Sequence, residues 1–152
     1  MKILILEDSH AADDLAEMLR DESYQVKPCA NFADAMYELF ESDMITPTCA
    51  YDALIIDLMM PIMHLPENIK NEIKAKHYPP GWAFYRFLEK ADNFLINNTI
   101  FYTAFPDRLL SAAIKDSIDH ETLKIIQKNS IQPIIDQAMR LLRNCNRRNR
   151  GD

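Results

Sequence analysis

The sequence has no apolar run long enough to cross a bilayer or to act as a signal peptide. Its apolar opening, Ile3-Leu4-Ile5-Leu6, is cut off by Glu7-Asp8, whereas a membrane helix needs about 20 such residues. Positive charge is also in short supply. Seventeen Lys and Arg stand against 23 Asp and Glu, a net charge of −6, so there is no overall electrostatic footprint for nucleic acid or an anionic membrane, and any such contact has to be local. Cys29, Cys49 and Cys145 are odd in number and widely spaced, without CxxC or Cys/His ligand spacing, which excludes a disulfide framework and a zinc site. They read as reduced thiols, and with no export signal the cytoplasm is the expected location. His10, His64, His77 and His120 form no ligand-spaced pair; only His10, close to Asp8, and His64 fall near the chemistry described next. Internal repeats, low-complexity segments and interdomain linkers are missing too. What remains is one globular domain of ordinary size, 48% hydrophobic and 26% charged, with a core to bury.

The stretch that organises the chain is Tyr51 to Pro61, YDALIIDLMMP. Ala53 to Ile56 is a continuous apolar run ending in Asp57, as suits a strand buried on both faces of a parallel sheet. Lys2 to Leu6 is a similar run closed by Glu7-Asp8-Ser9. Ala11, Leu15, Met18 and Leu19 then fall at helical spacing and predict an amphipathic helix. A weak strand over Tyr24 to Pro28 follows, and Asn31 is placed to cap a helix carrying Phe32, Ala35, Met36, Leu39 and Phe40 on one face,. Beyond Asp57, Leu65, Ile69 and Ile73 recur every four residues, Pro66 suits a first helical position, and Pro79-Pro80-Gly81 stops the pattern, so a short extra helix is expected within 62–80. Trp82 to Ala91 predicts a helix, Thr99 to Thr103 a strand, Pro106 onward a helix, Leu123 to Gln127 a strand, and Ile131 onward a last helix. The alternation of strand and helix predicts an α/β domain with a mostly parallel sheet.

Parallel strands bring their carboxyl ends to one rim, where ligands bind in such sheets. Glu7, Asp8, Asp57, Thr103 and Lys128 are therefore expected together. Clustered carboxylates repel unless a cation neutralises them, and an all-oxygen set suits Mg²⁺ better than zinc. With Mg²⁺ bound, Asp57 can attack a phosphoryl group while the metal and the Lys128 ammonium share the charge on the transferred oxygens and the Thr103 hydroxyl bonds one of them.

These residues, in this order, resemble the response-regulator receiver domains of two-component signalling: the acid pair Glu7-Asp8, Asp57 followed by Met60-Pro61 in a D-x-x-M-P pattern, Thr103-Ala104, and Lys128. The resemblance runs from Met1 to about Arg143. It implies a three-layer α/β/α fold with a five-stranded parallel sheet in the flavodoxin-like order 2-1-3-4-5. It also implies Asp57 as phosphoacceptor, Glu7, Asp8 and Asp57 as metal-binding acids with the Met59 carbonyl as a further Mg²⁺ ligand, and a sensor histidine kinase or histidine phosphotransfer protein as donor. Residues 1–143 would be the receiver domain, 62–80 an insertion between its third strand and third helix, and 144–152 a basic C-terminal tail. The chain departs from the family pattern in three places. Lys128 is followed by Asn129 rather than proline, so the lysine has to be held some other way. Ile125 stands where a switch aromatic is usual. The segment 62–80 separates Gly81 from the Met-Pro pair.

Two functions follow. The first is a stand-alone phosphorylation switch or phosphorelay intermediate, not a conventional enzyme, that catalyses its own phosphorylation and dephosphorylation at Asp57 and signals to a downstream protein through altered contacts. The second is a receiver-like protein-binding module without phosphorylation. The acid cluster with Thr103 and Lys128 favours the first, because a pure binding module has no physical need of it. A metal-dependent phosphatase would want an acid two residues after its nucleophile, and position 59 is Met. The eight methionines read as core filler and contact surface. Arg140, Arg143, Arg147, Arg148 and Arg150 read as a helix C-terminus fraying into solvent.

Overall fold

The computed structural model describes residues 2–40, 51–90, 98–104, 114, 124–128, 136 and 140. Five parallel strands, β1 (Lys2–Leu6), β2 (Gln25–Cys29), β3 (Ala53–Ile56), β4 (Thr99–Thr103) and β5 (Lys124–Gln127), pair in the order β2-β1-β3-β4-β5. Leu6 lies beside Ile56, Ile56 beside Phe101, and Thr103 beside Gln127. The helices are α1 (Ala11–Asp21), α2 (Phe32–Leu39), α3 (Glu67–Lys76) and α4 (Pro80–Lys90). The sheet order is the one expected. The helices expected from Pro106 and from Ile131 lie outside the described residues, apart from Ile114, Asp136 and Arg140, which are helical.

Strand alternation divides the core in two. Ile3, Ile5, Ala53, Ile55, Ile100, Tyr102 and Ile126 turn to one face and pack with Ala12, Leu15, Ala16 and Leu19 of α1. Leu4, Leu6, Leu54, Ile56 and Phe101 turn to the other face, under Phe32, Ala35, Met36 and Leu39 of α2 and Trp82, Phe84 and Leu88 of α4. Both faces of the central strands are covered, which is why their inner runs, Ile3–Leu6, Ala53–Ile56 and Ile100–Phe101, are apolar,. Asn31 caps α2, its side chain accepting the Asp34 N–H at 2.9 Å. The edge strand β2 tolerates Pro28, whose missing donor would break an inner ladder,.

The segment 62–80 packs on the domain. Leu65 and Ile69 are buried in the α2/α4 cluster, with Ile73 and Tyr78 against it. Glu72 of α3 reaches Lys90 of α4 at 3.2 Å. Helix α3 ends at His77, in left-handed conformation at φ 55°. Helix α4 then starts at Pro80, two residues before the expected Trp82, because the Pro79 carbonyl already accepts the Ala83 N–H at 3.0 Å. With α3 beside it, α4 is buried on every side from Gly81 to Tyr85, where spacing alone suggests a single apolar face.

Candidate functional site

Strands β1, β3 and β5 each extend their ladder one residue beyond the end. The Glu7 N–H donates to the Cys29 carbonyl at 3.1 Å, the Asp57 N–H to the Leu6 carbonyl at 2.8 Å, and the Lys128 N–H to the Thr103 carbonyl at 2.9 Å. These bonds fix where the side chains of Glu7, Asp57 and Lys128 begin, so the sheet itself aligns the site. Glu7, Asp57 and Thr103 are buried, while Asp8 is exposed at the mouth.

The side chains of Glu7, Asp8, Asp57 and Lys128 meet here, and Thr103 is joined to the same rim through its carbonyl, which accepts the Lys128 N–H. Glu7, Asp8 and Asp57 each place a carboxylate oxygen within 4.8 Å of the other two. The Lys128 ammonium lies 2.9 Å from Asp57 Oδ2 and also contacts Glu7 Oε2. Asp57 Oδ1 accepts the Met59 N–H at 3.1 Å, which holds the carboxylate by its other oxygen. Lys128 also stands 5.2 Å from the centre of the Tyr102 ring, a cation–π distance. Burial pulls the Lys128 pKa down, but hydrogen bonds and charge from Asp57 and Glu7 outweigh it and leave the pKa above its ordinary value. Burial also raises the Tyr102 phenol.

Three carboxylates against one ammonium leave a formal excess of two negative charges. A hard divalent cation fits that excess, and an oxygen-only set with one member open to solvent is the kind Mg²⁺ accepts while keeping water ligands. Glu7, Asp8 and Asp57 are the side chains that would hold it.

Two further residues shape the site, although the sequence placed neither among its functional residues. Ser9 donates to Glu7 Oε1 from its hydroxyl at 2.7 Å and from its backbone N–H at 3.1 Å. Gly81 presses on the backbone of Asp57 and Leu58: its N–H bonds the Leu58 carbonyl at 3.0 Å, and a Cβ on it would stand 2.0 Å from the Asp57 carbonyl oxygen. Serine beside an acid pair is common, and the 23 residues between Asp57 and Gly81 hide their contact. Of the histidines, His10 lines a cleft with Glu7, Asp8, Ser9, Asp13 and Asp34, while His64 and His77 are exposed. Cys29 is a buried free thiol whose burial pushes its pKa up to about 12; it has no part in the chemistry.

No protein-family model and no curated protein matches the chain. Solved structures do match. The receiver domain of a Francisella response regulator aligns with a TM-score of 0.63 at 19% identity, covering 94% of this chain and 97% of that one. A two-component response regulator from Clostridium difficile gives 0.65 at 15%, covering 96% and 98%. A chemotaxis protein of Vibrio cholerae gives 0.63 at 15%, covering 92% and 97%. At these identities the likeness is one of fold, and the fold is that of receiver domains. Among the described residues no helix is long and apolar enough to cross a membrane.

Proposed function

We propose that this chain, on its receiver-domain fold, accepts a phosphoryl group on Asp57 from a phosphohistidine of a partner kinase or phosphotransfer protein, in an Mg²⁺-dependent reaction, and signals by altered protein contacts. The observation that carries the proposal is the convergence, at the carboxyl edge of a parallel sheet, of a buried carboxylate, an ammonium 2.9 Å from it and two further acids. Ion pairing alone has no use for that excess of acid.

Each residue has a task. The Met59 N–H and the Lys128 ammonium hold Asp57 so that one of its oxygens faces the incoming phosphorus. A bond forms between that oxygen and phosphorus as the P–N bond to the donor imidazole breaks. The imidazole keeps the electron pair and takes its proton from solvent. Lys128 moves with the charge onto the phosphoryl oxygens, and the Thr103 hydroxyl donates to one of them. Glu7, Asp8, Asp57 and the Met59 carbonyl would hold Mg²⁺, which would neutralise charge on those oxygens. Water later attacks the same phosphorus, the P–O bond to Asp57 breaks, and inorganic phosphate leaves with Asp57 returned as a carboxylate.

Incubation with Mg²⁺ and acetyl phosphate, followed by intact mass, tests the proposal. One phosphoryl group is expected on the wild type and none on Asp57→Asn. A wild type that gains no mass, or a gain that survives Asp57→Asn, would overturn it, and the first result would leave a binding module with an idle acid cluster.

A further inference from the structure

Lys128 has no proline after it to stiffen its loop, yet its side chain is only 18% exposed and is held between Glu7 and Asp57. One of those two partners needs holding itself. A glutamate has one more rotatable bond than an aspartate, and fixing such a side chain costs rotamer entropy. Ser9 supplies the fixing, with two donors on a single oxygen of Glu7. The carboxylate is thereby divided: Oε1 faces Ser9 and Oε2 faces Lys128.

We propose that Ser9 is a positioning residue for phosphoryl transfer, acting through Glu7 to hold the Lys128 ammonium beside Asp57. The relay runs from the Ser9 hydroxyl to Glu7 Oε1, through the carboxylate to Oε2, to Lys128 Nζ, and on to Asp57 Oδ2. It does by side chains what the loop after Lys128 does not do by proline. Its role in catalysis rests on Asp57 being the phosphoacceptor. Ser9 has a competing structural role, because its Oγ also accepts the Ala11 N–H at 3.3 Å and so helps to start α1. The test has to separate the two.

Initial rates of phosphorylation by acetyl phosphate at saturating Mg²⁺ would be measured for wild type, Ser9→Ala, Ser9→Thr, Lys128→Met and the Ser9→Ala/Lys128→Met double variant, all checked for folding by thermal melt. Losing one hydrogen bond to a carboxylate while the backbone bond remains should slow Ser9→Ala about three- to tenfold. Ser9→Thr should restore the rate. In the Lys128→Met background the Ser9 substitution should have no further effect, as coupled residues require. An equal loss in both backgrounds would assign Ser9 to α1 alone, and an unchanged Ser9→Ala rate would remove the relay; either result overturns the proposal. NMR of the lysine ammonium groups gives a readout independent of phosphorylation. The Lys128 signal, protected by two ion pairs, should broaden or vanish in Ser9→Ala, and a signal that persists unchanged refutes the relay. If the wild type gains no phosphate but its ammonium signal still responds to Ser9→Ala, the relay stands and the assigned function falls.

Discussion

Replacing Gly81 with alanine pits a small gain against a larger loss. Glycine inside a helix costs roughly 1 kcal/mol relative to alanine, so an open helical position would be stabilised by the change. Here the new Cβ would lie 2.0 Å from the Asp57 carbonyl oxygen and 2.9 Å from the Leu58 Cα, where ordinary contact begins at 3.4 Å. Both obstacles are backbone, so no rotamer change relieves them, and α4 or the Asp57 loop has to move by about 1.4 Å, the difference between the 3.4 Å contact limit and the 2.0 Å approach to the Asp57 oxygen. Overpacking of this kind costs about 1–3 kcal/mol or more, which exceeds the propensity gain. With about 2–4 °C of Tm per kcal/mol for a chain of this size, Gly81→Ala should melt several degrees below wild type. The shift also carries Asp57 out of line with Lys128, and a misplacement near 1 Å can cost on the order of 100-fold in rate. Differential scanning calorimetry with the acetyl phosphate assay reads both effects. A Gly81→Ala protein that melts at or above the wild-type temperature and takes up phosphate at the wild-type rate would refute the reasoning.

Asp8→Asn should weaken Mg²⁺ binding by on the order of tenfold, since it removes a full charge within a few ångströms of the cation; NMR shifts during a titration check this, and an unchanged Kd would remove Asp8 from the site. Replacing residues 63–78 with a short Gly-Ser loop removes the buried Leu65 and Ile69, worth about 1.5–3 kcal/mol each, so Tm should fall by on the order of 10 °C. If the segment also shields Asp57, the acyl phosphate should decay faster, and an unchanged Tm would contradict the packing. Because the Lys128 pKa is raised in the folded state, its stabilising contribution is complete below the ordinary value of 10.5 and is lost as pH rises through the folded value,. The stability difference between wild type and Lys128→Met in urea should therefore hold from pH 7 to about 10 and shrink above that; a difference already gone at pH 9 would contradict it.

The sheet was legible because its central strands are buried on both faces. Ile3 to Leu6 and Ala53 to Ile56 leave no doubt about period or direction, and the first polar residue after each run marks the rim. Knowing that rim was enough to bring Glu7, Asp57, Thr103 and Lys128 together, because a parallel sheet leaves their starting points no other place. The Asn31 cap and the stripe of Leu65, Ile69 and Ile73 were equally open to reading, since each rests on local spacing. What spacing does not carry is contact between distant backbones. The pressure of Gly81 on Asp57 and the early start of α4 at Pro80 depend on how the chain returns after α3. The division of the Glu7 carboxylate between Ser9 and Lys128 depends on a rotamer, and residue identity does not specify one.

The hydrogen bond from Gly81 to the Leu58 carbonyl pinches the base of the segment between them. Chain that leaves the sheet after Leu58 comes back to within one hydrogen bond of its departure point, so the excursion is a closed loop as seen from the sheet. The entropy of closing such a loop grows only logarithmically with its length, about 0.6 kcal/mol per doubling. Residues added at its exposed turn, around Met63 and His64, therefore cost the domain little, while the pinch keeps the geometry at Asp57 independent of how much chain lies beyond it. A fluorescent or affinity label could be carried at that turn without lengthening any strand or changing its register.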